Sequence, residues 1–114
     1  MNIRCTLKKN SDFRRLYSKG KSAVTAHMVV YCRRNRLNEN RLGYTVSTKL
    51  GHAVVRNRVR RRLREIYRLN APSLKSGYDI VIVARSRCVG AEYAAMDAAF
   101  LRACEKLQLR REEQ

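Results

Sequence analysis

Acidic residues are scarce in this chain: nine Asp and Glu stand against 26 Lys and Arg in 114 residues, a formal charge of +17. Self-repulsion of that size destabilises a compact state, and acidic residues confer solubility better than basic ones. A surface tuned for solubility is therefore a poor explanation. A polyanionic partner is a good one, because neutralising phosphates releases condensed counterions. Trp is absent and Pro72 is the sole proline, and no repeat or low-complexity tract interrupts the chain, so no linker divides it. Cys5, Cys32, Cys88 and Cys104 include no Cys-x-x-Cys pair, and neither His27 nor His52 lies at finger spacing from them, which argues against a zinc module. Cys32 and Cys104 fall inside apolar patterns and read as small hydrophobes, in keeping with a reducing cytoplasm. The longest apolar runs, such as residues 80–84, match a strand and are far too short to span a membrane. Residues 1–9 are polar and contain no apolar signal segment. The expectation is a cytoplasmic protein without a membrane role. Glu39, Glu65, Asp79 and Asp97 are scattered, so no carboxylate pair, activated nucleophile or metal-ligand cluster is predicted, and no side chain is assigned a catalytic role.

What is present suffices for one domain. Hydrophobic residues make up 45% of the chain, enough for a real core. Asn10 or Ser11 is positioned to cap a short helix with Phe13, Leu16 and Tyr17 at helical spacing, and Gly20 to end it. Residues 21–25 give a weak strand signal, and residues 27–32 (HMVVYC) and 42–47 (LGYTVS) give stronger ones. The polar stretch 33–41 between the two stronger strands reads as a turn. From 53 to 69 the period changes to 3.6, with Val55, Val59, Leu63 and Ile66 on one stripe and Tyr67 at its edge. The near-continuous apolar run 78–84 fits a buried strand. Tyr93, Met96, Phe100, Cys104 and Leu107 mark a last helix, with residues 110–114 fraying beyond it. The expectation is an α/β (α+β) two-layer sandwich in one domain, residues 1–114.

The charge is concentrated in residues 51–68, GHAVVRNRVRRRLREIYR, which contain seven arginines: Arg56, Arg58, Arg60, Arg61, Arg62, Arg64 and Arg68. At about 100° per residue they occupy the arc left free by the apolar stripe. One side of the helix is predicted to pack on the sheet while the other presents guanidinium groups. An ordinary exposed helix gains from Glu–Lys pairs, and Glu65 alone does not balance this face. Arginine in place of lysine adds a planar fork that binds phosphate bidentately and stacks on bases. The stripe lacks Trp and Phe, which argues against a membrane-surface helix. Strand-like residues, not a short helix, precede it, which argues against a helix-turn-helix reader.

Phe13 and Tyr17, four residues apart, share a helix face, and Tyr31 lies on a strand. Spacing alone favours core duty for all three, although aromatic faces beside basic groups also suit stacking on unpaired bases.

The stretch 46–61, VSTKLGHAVVRNRVRR, resembles the signature of the bacterial ribonuclease P protein: a Val-Ser strand end, a Lys-x-Gly-x-Ala-Val turn and an Arg-Asn-Arg helix with further basic residues. Upstream LKKNSDF (7–13) and downstream GYDIVIVAR (77–85) extend the resemblance over nearly the whole chain. The resemblance implies an αβββαβα order with a left-handed βαβ crossover, against the usual preference. It implies that Arg56, Asn57, Arg58, Arg60, Arg61, Arg62, Arg64 and Arg68 face the ribonuclease P catalytic RNA. It further implies that Phe13, Tyr17, Tyr31, Ser47 and Lys49 line or edge a cleft for the single-stranded 5′ leader of precursor tRNA. The partners are then the RNA subunit and precursor tRNA, with no obligate protein partner. Mg²⁺ is used by the RNA–protein holoenzyme, which hydrolyses the phosphodiester bond while the protein holds the leader. Tyr17 stands where Phe is common, Thr48 where Lys is common, His52 in place of a frequent Asn, and Arg62 where the counterpart is often apolar. Two other readings compete, a ribosome-associated α/β protein and a nuclease acting alone.

Overall fold

A computed structural model describes residues 6–111. Its elements are α1 (Asn10–Lys19), β1 (Lys21–Val24), β2 (Met28–Arg34), β3 (Arg41–Thr45), α2 (Ala53–Asn70), β4 (Tyr78–Ala84) and α3 (Tyr93–Lys106). This is the expected αβββαβα order. The strands form one mixed sheet in the order β1-β2-β4-β3, with β3 parallel to β4 and the other pairs antiparallel. β3, α2 and β4 thus make the single βαβ unit among the described residues.

β4 is central and covered on both faces, which is why its sequence is apolar almost throughout. Ile80, Ile82 and Ala84 point into the main core, with Met28, Val30 and Cys32 of β2, Val59, Leu63 and Ile66 of α2, and Met96, Phe100 and Cys104 of α3. Tyr67, placed at the edge of the stripe by its spacing, is buried in this core and meets Phe100 edge-on at 6.4 Å. On the opposite face Leu7 and Leu16 pack on Val81, flanked by Phe13, Tyr31 and Val83. The sandwich of α2 and α3 on the sheet therefore carries α1 as a partial cover on its other side.

Two local expectations change. Asn10 is the first helical residue and Lys9 the cap, without a side-chain cap bond; the backbone N–H groups of Asp12 and Phe13 bond to Lys9 O instead. Gly20 does end α1, but with an ordinary extended φ of −79°. The reason is space: a Cβ there would lie 2.6 Å from Leu16 O and 2.9 Å from Cys32 O. Of the tail expected to fray, Arg110 and Arg111 are tied down. Arg110 bridges to Leu74, and Arg111 donates to Ser73 O at 2.8 Å and through Nε to Leu74 O at 2.8 Å. Residues 112–114 lie outside the described residues, as does Cys5.

At the other end of the strands Asp79 receives a bidentate pair from Arg41, at 2.8 and 2.6 Å, and a third bond from Asn35 at 3.0 Å. This pairing fixes the register where β3 and β4 begin.

Burial pushes the Cys32 and Cys88 thiols up and that of Cys104 up to about 12. Thiolate is the reactive form, so raised values mean reactivity is withheld until far above neutral pH. Iodoacetamide is expected to leave all three unmodified in the folded protein, even at mildly alkaline pH. In concentrated guanidinium chloride it should label them, as read by mass spectrometry.

Candidate nucleic-acid interface

α2 begins at Ala53, after the extended cap residue His52, and displays its arginines over the following turns. Its apolar stripe is held by the core, so the remaining arc must face outward. The guanidinium groups are not equivalent. Arg58, Arg61 and Arg64 are exposed and form no hydrogen bond or ion pair among the described residues. Arg60 donates to Asn57 Oδ1 at 2.8 Å. Arg56 donates through Nε to Gly51 O at 3.2 Å, bracing the turn that opens the helix. Arg62 is drawn aside to Ala91 O at 2.8 Å, joining α2 to the segment before α3. Arg68 is held bidentately by Glu65, at 3.1 and 2.6 Å, which lowers the Glu65 carboxyl below its ordinary range. Among the described residues, one of the seven arginines therefore pairs with an acid.

Beside this face a cleft of ≈ 640 Å³ opens between α1, the edge strand β3 and α2, lined by Phe13, Tyr17, Tyr44, Thr45 and Val46, with Arg14 and Arg60 at its sides. Gly43 lies beneath the Phe13 ring. A Cβ there would meet the Phe13 ring at 2.6 and 2.8 Å, so glycine is what lets this ring lie against the strand. Tyr31 on β2 joins through Tyr17: their rings are 5.0 Å apart at 70°, and Tyr17 is 6.5 Å from Phe13. The three aromatics form one continuous cluster. Tyr17 is 41% exposed, and its side chain is fixed by a hydroxyl bond to Thr45 Oγ1 at 2.8 Å. Tyr17→Phe is expected to retain the ring but release this tie, lowering stability by about 0.5–1 kcal/mol in a urea titration.

Ser47 and Lys49 are exposed on the 3-10 turn that continues from Val46, and they are not among the residues lining the cleft. The Ser47 hydroxyl caps the turn by accepting from Lys49 N at 3.1 Å. Tyr44, Thr45 and Val46 were missed by sequence reasoning because they read simply as strand. Tyr44 also carries a buried hydroxyl without a hydrogen-bond partner. Burial raises its phenol, while the positive charge of Arg64 opposes that shift. The signal available in the sequence was Gly43, a glycine inside a strand, which marks close approach of another group.

Arginine forks that are free of internal acids can take phosphates, and a row of aromatic edges and faces beside them can take unpaired bases. Comparison with known proteins identifies the family. The family model Ribonuclease P matches residues 1–108. The ribonuclease P protein component of Alkaliphilus oremlandii is 47% identical over 103 residues, covering 90% of each chain. The RNase P protein of Staphylococcus aureus superposes with a TM-score of 0.85 at 30% identity, covering 94% of this chain and 98% of that one. That of Thermotoga maritima gives 0.79 at 30%, covering 96% and 98%. A match over nearly the full length, in sequence and in fold, leaves one assignment: the chain belongs to the bacterial ribonuclease P protein family.

Proposed function

We propose that this chain is the protein subunit of ribonuclease P, which together with a catalytic RNA removes the 5′ leader of precursor tRNA. The observation that carries the proposal is the junction at Arg60. This residue stands on the guanidinium face of α2 and also on the wall of the aromatic cleft, so one molecule presents a backbone-binding surface and a base-stacking groove side by side. In this reading the free forks of Arg58, Arg61 and Arg64 engage RNA phosphates. Phe13, Tyr17 and Tyr31 stack on the single-stranded leader, which favours precursor over mature tRNA. Arg62 and Arg68 serve α2 itself more than its partner.

The role is electrostatic and positional. Asp12 and Asp79 face Arg41, at 4.0 and 2.6 Å, while Glu65 is held by Arg68 and Glu105 by Arg110. No three His, Cys, Asp or Glu side chains gather among the described residues. In this reading Mg²⁺ is used by the assembled RNA–protein complex, and no step of hydrolysis is assigned to these side chains. Positive charge beside the RNA reduces phosphate repulsion, so the complex should need less Mg²⁺ than the RNA alone.

Precursor tRNA incubated with the chain, with the ribonuclease P RNA of the same organism, and with both tests the reading. Cleavage at low Mg²⁺ is expected only with both. Cleavage by the chain alone would establish a free-standing nuclease. No stimulation of the RNA would favour the ribosome-associated alternative.

A further inference from the structure

A second cationic groove lies at the opposite end of the sheet from the cleft. Arg33 and Arg34, at the end of β2, stand across from Asp79 and Tyr78 at the start of β4, whereas Thr45 of the cleft stands beside Val83. Five residues along β4 separate Tyr78 from Val83, about 16 Å at ~3.3 Å per residue. The groove encloses ≈ 370 Å³ and is lined by Lys19, Lys21, Arg33, Arg34 and Lys75 together with Tyr78, and by no acid. None of these five cations forms an ion pair among the described residues. The nearby carboxylates are engaged by other cations, Asp12 and Asp79 by Arg41 and Glu105, beside Lys75 and Gln108, by Arg110.

The groove is also built on a fixed frame. Lys75 N–H donates to Leu109 O at 2.7 Å, and Lys75 O accepts from Asn40 Nδ2 at 2.9 Å. The Arg34 guanidinium lies 6.0 Å from the centroid of the Tyr78 ring, a contact that orients the planar fork. Gln108, which also lines the groove, adopts φ 57° just beyond Leu107, the residue that caps α3. Glycine is the low-cost residue in that conformation, so a polar side chain is retained there against its backbone preference. Lys19 lies in the last turn of α1, where a cation also answers the helix dipole. That accounts for one of the five cations and leaves four on strands and a loop.

We propose that this groove is a second RNA-backbone site, engaging a segment of ribonuclease P RNA distinct from those at α2 and in the cleft. The inference rests on the subunit reading above. Charge complementarity favours RNA over an acidic protein: the excess of 26 basic over nine acidic residues is not confined to α2, and one large polyanion is able to neutralise both surfaces.

The test is a variant carrying Lys21→Gln, Arg33→Gln, Arg34→Gln and Lys75→Gln, titrated against the ribonuclease P RNA of the same organism over a range of KCl. Each lost phosphate contact contributes ~0.7–0.9 to the log–log salt slope, so the slope is expected to become shallower by roughly 2.8–3.6 for four contacts. The preference for precursor over mature tRNA in the assembled complex should persist. An unchanged slope overturns the proposal and leaves the groove to another partner, such as an acidic protein. Loss of the precursor preference places these residues on the leader path and overturns the separation of the two sites. If the unaltered chain does not bind the RNA at all, the subunit reading fails first and this one with it. Acylation of the unaltered protein gives a readout that does not depend on how the variant folds. The Lys21 and Lys75 amines should react several-fold more slowly in the complex than in the free protein, and equal rates would contradict the proposal.

Discussion

Replacing Arg58, Arg61 and Arg64 together with Gln is expected to weaken binding to ribonuclease P RNA by roughly 10²–10³-fold near ~0.1 M monovalent salt. The reasoning is counterion release: a phosphate contact that carries a salt exponent of ~0.7–0.9 is worth about five- to eightfold at that concentration, and three are removed. These arginines make no hydrogen bond or ion pair among the described residues, so the thermal midpoint should hold or rise slightly as like-charge repulsion falls. Loss of binding without loss of stability separates a partner-facing role from a structural one. Arg62→Gln should behave in the opposite sense. It forfeits the bond to Ala91 O and is expected to lower stability by about 1 kcal/mol with a small effect on RNA affinity. The triple variant with Lys in place of Gln should fall between, because it keeps the charge and loses the fork.

Phe13→Ala is expected to reduce the preference for precursor over mature tRNA by about 5- to 150-fold, the ~1–3 kcal/mol of one base stacked on an aromatic. Phe13 also packs on the Leu7, Leu16 and Val81 cluster, so the variant will be less stable. The ratio of the two affinities, measured on one preparation, cancels that loss. Equal weakening of both substrates would remove the leader from this cleft. Gly43→Val reaches the same ring from beneath: a Cβ 2.6 Å from Cζ must displace Phe13 from the strand, and the precursor preference should drop while Phe13 itself remains. Tyr31→Ala should show a smaller effect of the same sign, since Tyr31 reaches the cleft through Tyr17.

Much of this arrangement was legible in the sequence because its periodicities are clean. The 3.6 spacing of Val55, Val59, Leu63 and Ile66 placed α2 within a residue of its true end, and the unbroken run of β4 marked a strand buried on both faces. The limits lie where tertiary contacts decide. Spacing put the arginines on one arc but did not show that Arg62 is captured by Ala91 O or Arg68 by Glu65, since one partner lies 29 residues away and the other depends on rotamer. Phe13 looked like core by spacing and like a stacking residue by resemblance. It is half of each, with its ring against Gly43 on one side and the cleft on the other. Tyr44 and Thr45 have no signature beyond strand propensity, and only the approach of α1 and α2 to the β3 edge brings them into a site. Ser47 and Lys49 were placed near the cleft through the resemblance, and the structure puts them on the turn next to it. The tail at Arg110 and Arg111 is ordered by bonds to Ser73 and Leu74, contacts that no local pattern encodes.

The account depends on an outward-facing guanidinium surface that meets an RNA backbone. Its most direct test is the dissociation constant for ribonuclease P RNA measured across a series of KCl concentrations. About five phosphates, met by Arg56, Arg58, Arg60, Arg61 and Arg64 of α2, give a log–log slope of roughly −3.5 to −4.5, and the second groove makes it steeper. A slope near zero would contradict the account.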